Sequence, residues 1–453
     1  MDHARPAKIT SPITTLKDSY ARMIPTCFTV GVIGIGVAAA IRRGSDVFFN
    51  SYLTAFCFVL TICIGCLFIV TILHLTRAGW GTTVRRIAEL YAACLFPLLI
   101  LFLPILIPLM LGSTAVYEWN QVGWSVHDPA ESAEIQKAFA AADASVKTEV
   151  LPPLEKLKHS YLNRKFFGAR VVAYFVLWGL MSWFFLKTSL KQDETGDKKL
   201  SLKMQGYSAP LMILFAAILT FASFDFEMSL SPLWFSTMFP VYIFAGSMLS
   251  ALATITLTAL LLQRSGRVTD EITIEHYHDL AKLMFSFVFF WGYIAFSQFM
   301  LIWYANIPEE TFWFAWRINP MEQGGGWTGW QWMSIFLVVG HIFIPFLGLM
   351  ARTVRRNKNF LFFASIYILV IHWIDHYWII MPQALKSTST SLAPGMDGAG
   401  VFTFSGMGIV SDIACVVGMI GLFLAIFFLI ARDKPLVPLK DPRLGEALNY
   451  HNP

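Results

Sequence analysis

Ten stretches of largely apolar residues recur along the chain, near 24–41, 51–75, 87–111, 166–189, 207–228, 233–262, 277–304, 327–350, 359–382 and 407–431. A helix of about 20 such residues crosses the ~30 Å of hydrocarbon in a bilayer. Inside hydrocarbon a backbone must satisfy its own N–H and C=O groups, so segments this long and apolar are constrained to be helices. Composition agrees, with 56% hydrophobic and only 14% charged residues, where soluble domains carry roughly 25% charged. The expected fold is an all-α integral membrane protein with ten transmembrane helices.

Orientation is read from the lysines and arginines, because loops on the cytoplasmic side carry the excess. With the N-terminus inside, the inner segments hold twenty-two and the outer ones ten, six of the latter in the long stretch 112–165. Both termini are therefore expected on the cytoplasmic side. Residues 1–23 are polar, and the first span reads as a retained anchor. Arg170 and Lys282 fall near span ends, where snorkelling to the interface accounts for them. The net charge of +5 is thus spread over loops, and no nucleic-acid partner is expected. The six cysteines lie in apolar stretches, and Cys63-x-x-Cys66 reads as packed small side chains.

Spans two to five and six to nine read as a topological repeat of two parallel units. The expected organisation is a cytoplasmic segment 1–23, a first flanking helix within 24–50, a first four-helix bundle over 51–232, a second over 233–382, an outer loop and last flanking helix over 383–431, and a cytoplasmic tail 432–453. Loop 112–165, with helical composition broken by Pro152-Pro153, is expected to be an external docking surface.

Against this apolar background the run Ile371-His372-Trp373-Ile374-Asp375-His376-Tyr377-Trp378 stands out. A charge near the centre of a membrane helix costs about 2.5–3.5 kcal/mol on insertion scales, so such residues face protein or water and commonly work. His372, Asp375 and His376 share one helical face. By depth along their spans, Asp225, Glu227, His341 and Asp412 are expected at the same outer level. Carboxylates and imidazoles in alternation can hand on a proton near neutral pH, and quinol oxidation needs such acceptors. Trp373, Trp378, Phe287 and Phe289 are candidates for a flat slot around a quinone ring. A haem between these histidines is disfavoured because His372 and His376 sit on one side of one helix. A metal held by His372, Asp375 and His376 is geometrically open to the chain but has no distinguishing spacing, and none is assigned. His74, Glu89, His278, Asp279 and Lys282 form a second set on the cytoplasmic side. Solvated span ends are the preferred reading there, and the inner half of a proton path is the alternative.

Three strings carry a resemblance. The segment from Phe224-Asp225-Phe226-Glu227 through Ser231-Pro232-Leu233-Trp234 to Phe244-Ala245-Gly246, the run Phe296-Ser297-Gln298 to Pro308-Glu309-Glu310-Thr311, and His372-Trp373-Ile374-Asp375 to Met381-Pro382 are similar to the large membrane subunits of alternative complex III. The resemblance is closest to the ActF-type subunit, the second and shorter NrfD-like (polysulfide-reductase-like) subunit of this quinol:cytochrome c oxidoreductase. It implies two parallel four-helix bundles with one flanking helix at each end, in a bacterial inner membrane. It also implies partners: a companion NrfD-like subunit, an iron–sulfur subunit, multihaem cytochrome c subunits and a terminal oxidase, besides membrane lipid. Haem c and iron–sulfur clusters would belong to those partners, and menaquinone or ubiquinone is the only candidate ligand of this chain. On this reading the chain supports assembly and a proton path or quinone-side relay, and is not the catalytic subunit alone. The rival expectations are a secondary transporter with an intramembrane Asp/His site and a purely structural anchor.

Overall fold

The computed structural model describes residues 15–16, 20–42, 46–120, 160–232, 234–318, 329–386 and 406–452. The chain is helical and without strands among the described residues, and ten helical segments are long and apolar enough to cross a membrane. They are α1 (Tyr20–Ile41), α2 (Asp46–Leu75), α3 with α4 (Thr82–Ala92, Leu95–Met110), α5 (Arg164–Thr195), α6 (Lys198–Phe226), α7 (Phe239–Arg264), α8 (Ile274–Ala305), α10 with α11 (Gly329–Leu337, Ile344–Met350), α12 (Lys358–Lys386) and α13 (Gly406–Ala431). A further helix, α9 (Pro308–Ile318), lies between α8 and α10 and was not expected from the sequence. The third span also starts earlier than expected, because the helix begins at Thr82 and bends at Ala93–Cys94.

Two helices form the centre. In their most apolar windows α2 is 89% buried and α7 83%, against 11% for α1. They cross where Gly65 meets the carbonyl of Ser247; a Cβ at Gly65 would lie 2.1 Å from that oxygen. Around this axis α2, α3–α4, α5 and α6 pack in a closed circuit of neighbours, and α7, α8, α10–α11 and α12 in another. Helix α12 also lies against α2, so its polar face looks into the seam between the two circuits.

The first and last spans pair with each other. Gly34 of α1 and Gly418 of α13 touch backbone to backbone; a Cβ on Gly34 would lie 2.6 Å from the Gly418 Cα. Small residues at a crossing are how membrane helices gain close packing when there is no hydrophobic drive between them.

The segment after α13 is folded and not a loose tail. Asp441 pairs with Arg85 at 2.7 Å, the Leu439 backbone N–H donates to Asp193 at 2.7 Å, and the Tyr450 hydroxyl donates to Asp279 at 2.5 Å. A short helix at Leu444–Leu448 sets Glu446 against Gly79. These contacts make one end of the molecule a tail face. The docking surface expected in loop 112–165 falls mainly on residues 121–159, which lie outside the described residues.

Gly418→Val would drive a Cβ to within 2.6 Å of the Ile35 backbone N and is expected to cost about 1–3 kcal/mol of overpacking. A lowered thermal midpoint in detergent checks it. Gly36→Ala, where nothing lies within 4 Å of the new Cβ, is the matched control and should be neutral.

Candidate functional site

The polar side chains of α12 meet residues of α2, α7, α8 and the end of α6. His372 Nε2 lies 2.9 Å from Thr61 Oγ1 on α2, and His376 Nε2 lies 3.3 Å from the same oxygen. His376 Nδ1 is 3.2 Å from Glu227 Oε2, just past the end of α6. Asp375 accepts from the Tyr242 hydroxyl on α7 and, at 3.2 Å, from Trp291 Nε1 on α8. All of these groups are buried. The result is a continuous string, Glu227–His376–Thr61–His372, with Asp375 one turn away on the same face. A hydroxyl between two imidazoles can take a proton from one and give one to the other, so the string has the chemistry of a relay.

His341 arrives by a different route. Val338–Phe343 is a turn of π-helix between α10 and α11, closed by the Ile344 N–H on the Val339 carbonyl. Its cause is Pro345, which has no N–H for the His341 carbonyl and whose ring would strike it. The widened turn lays the His341 ring on Trp291, centroids 3.7 Å apart and planes within 19°. Ligand atoms of His341, His372 and Asp375 come within 4.8 Å of one another. Two glycines make the approach possible: a Cβ at Gly246 would meet His372 Cε1 at 2.8 Å, and one at Gly340 would meet the Tyr367 hydroxyl at 3.1 Å.

Of the seven residues expected at one level, five thus form one group. The other two are held in ion pairs. Asp225 receives Arg170 Nε and Nη2, both at 2.8 Å, and the Tyr174 hydroxyl at 2.6 Å. Asp412 receives Arg42 at 3.0 Å, Ser51 at 2.6 Å and Tyr377 at 3.0 Å. Arg170 is accordingly not a snorkelling span end: its guanidinium, buried and laid over the Tyr161 ring at 3.7 Å, neutralises a carboxylate on the neighbouring helix.

A cavity of about 340 Å³ adjoins the group, lined by Tyr242, Trp291, Trp313, Phe314, Trp378 and Gln298 among others. Its rim includes the exposed side chains of Phe296 and Val338, so it opens to the apolar surface between α8 and α10. Trp378 belongs to this slot as expected. Trp373 and Phe287 line other contacts and Phe289 is largely exposed, because they point away from the α7–α8–α10 interior. Tyr242 and Trp291 stand between the cavity and Asp375, touching both.

Beside the cavity is a residue that the sequence reading passed over. Arg317 of α9 is fully buried and donates to the carbonyls of Trp313, Trp378 and Ile379 at 2.7, 3.1 and 2.8 Å. Pro382 explains the middle one: without an N–H it leaves the Trp378 carbonyl open in the helix ladder, and the guanidinium fills the gap.

On the tail face the expectation of solvated span ends fails for four of the five residues. Glu89 is buried between Arg85 (3.0 Å) and Arg86 (2.9 Å), and Arg86 reaches Asp193 at 2.7 Å. His74 stacks on Phe185 with planes within 7°, and His278 is buried with neither ring nitrogen bonded among the described residues. Asp279 is buried too, accepting from Tyr450 at 2.5 Å and Asn452 at 2.7 Å, whereas Lys282, 3.2 Å from it, is half-exposed. From Ile62 to Val70, between this set and Thr61, α2 carries only apolar side chains and two cysteines. All six cysteines are unbridged.

Sequence reasoning missed Thr61, Tyr242, Trp291 and Arg317. Only Arg317 carried a signal, a lone arginine in an outer segment beside a helix with a proline near its end. Asp225→Asn leaves Arg170 buried without its counter-charge and is expected to destabilise the protein by about 3–5 kcal/mol. The Asp225→Asn/Arg170→Gln pair should lose less than the sum of the single changes, measured as folded yield and midpoint in detergent. Comparison with protein-family models and with curated proteins finds no match in either.

Proposed function

We propose that the chain is a membrane subunit of a respiratory quinol-oxidising electron-transfer complex, in which it supports assembly and carries protons through the Glu227–His376–Thr61–His372 string. One observation carries this reading: a hydrogen-bonded run of buried carboxylate, imidazole and hydroxyl groups beside an aromatic cavity open to the apolar surface. The cavity has the shape and lining for a quinone ring, and Tyr242 and Trp291 would couple that ring to Asp375. Haem c and iron–sulfur clusters would sit in partner subunits, on the side of the membrane away from the tail face. The tail face, with the basic loops around Arg77, Arg85, Arg264 and Arg355, is then cytoplasmic, and the membrane is the inner membrane of a bacterium. The closed neighbour circuits of the helices support an NrfD-like arrangement of two four-helix units.

The transporter alternative is weaker. Its members break helices at matching places in two halves, whereas the π-turn of α10–α11 has no counterpart in α5, which runs unbroken from Arg164 to Thr195.

Purification from native membranes in mild detergent should bring down c-type haem and iron–sulfur absorbance with the chain. A solitary, colourless and active protein would refute the complex. Within the complex, Asp375→Asn is expected to lower the protons released per quinol oxidised while assembly is retained. An unchanged ratio removes Asp375 from the path.

A further inference from the structure

We propose that His341, His372 and Asp375 form a binding site for a divalent first-row transition ion of the Zn²⁺ class. Three observations converge. The ligand atoms of these residues, drawn from two separate helical segments, lie within 4.8 Å of one another. Both ring nitrogens of His341 and Nδ1 of His372 are buried with no hydrogen-bond partner among the described residues. Buried polar atoms are nearly always paired, and here each of the two histidines leaves a nitrogen unpaired within reach of the Asp375 carboxylate. Outer partners are in place for two of the three ligands. A ligating histidine ordinarily has its other nitrogen held, and His372 Nε2 is held by Thr61 at 2.9 Å; a ligating carboxylate is ordinarily hydrogen-bonded, and Asp375 is held by Tyr242 and Trp291.

Two imidazoles and a carboxylate suit Zn²⁺ and its first-row neighbours rather than Ca²⁺ or Mg²⁺, which take oxygen ligands. Atoms each roughly 2.1 Å from a shared ion lie no more than roughly 4.2 Å apart. The set must therefore close by some tenths of an ångström. His341 can supply this, since it sits in the widened turn before Pro345 where the helix ladder is already loosened. Charge balances as well: the two positive charges of the ion face Asp375 and, one histidine further, Glu227. The site shares His372 with the string and sets its direction. An ion on His372 Nδ1 requires the proton on Nε2, so His372 donates to Thr61 and the string ends at this histidine.

The test does not depend on quinol turnover. The full chain, purified with its native partners in metal-free buffer, is digested for elemental analysis. About one Zn-class ion per chain, beyond the iron of any haem or cluster, is expected. His341→Phe keeps the stack on Trp291 and removes both nitrogens; its content should fall at least tenfold while elution profile and thermal midpoint without added metal stay as in wild type. Co²⁺ added to stripped protein should give visible ligand-field bands in wild type and none in His341→Phe. A stripped wild type that shows neither Co²⁺ bands nor a Zn²⁺-dependent rise in midpoint overturns the site. Full metal retention in His341→Phe overturns it too, by placing the ion elsewhere.

Discussion

A charge removed from water inside an apolar protein must find its compensation within reach, and this requirement organises the molecule. The Arg42–Asp412 and Arg170–Asp225 pairs each join two helices, and the Arg85, Arg86, Glu89, Asp193 and Asp441 cluster joins α3, α5 and the segment after α13. Idealised desolvation costs for such ions are large, and only good geometry with further hydrogen bonds offsets them. Tyr174, Ser51 and Tyr377 supply those extra bonds. The pairs consequently act as fixed points of registry: a helix that slid by one turn would leave a charge unpartnered at each of them.

This division separates structural charge from chemical charge. Asp225 and Asp412 face guanidinium groups, which stay charged, and each carboxylate is bound across to a neighbouring helix. Glu227 faces His376 instead, a partner that can be charged or neutral. Asp375 faces only neutral donors, Tyr242 and Trp291. The same residue type thus meets two kinds of partner, fixed cations in the ion pairs and imidazole or neutral donors around α12.

How much of this could be read in the sequence follows from the range of each interaction. The ten spans were legible because apolar length is a local property, and the stripe His372, Asp375, His376 because helical spacing is. Partner choice was not. Nothing near Asp225 in the chain distinguishes it from Glu227, and the difference arises because Arg170, fifty-five positions earlier, lies on the neighbouring helix. Thr61 looked like any threonine in an apolar helix until α12 packed against α2. Pro345 did announce a disturbed turn, but the stacking of His341 on Trp291 depends on α8, far away in the chain. The tail after α13 reads as polar and loose because its anchors, Arg85, Asp193 and Asp279, are distributed over three helices.

The contact between Arg317 and the carbonyl freed by Pro382 has a consequence for how this chain can vary. The guanidinium and the proline answer each other: an ordinary residue at 382 would offer its own N–H to Trp378 and leave Arg317 competing for an acceptor, whereas a neutral residue at 317 would strand the carbonyl. Neither position is free to change alone. Because the same guanidinium also bonds Trp313 of α9 and Ile379 of α12, the short helix is fastened to the turn that follows the Asp375 group, and the two positions set how α9 seats against the helix that holds the buried histidines.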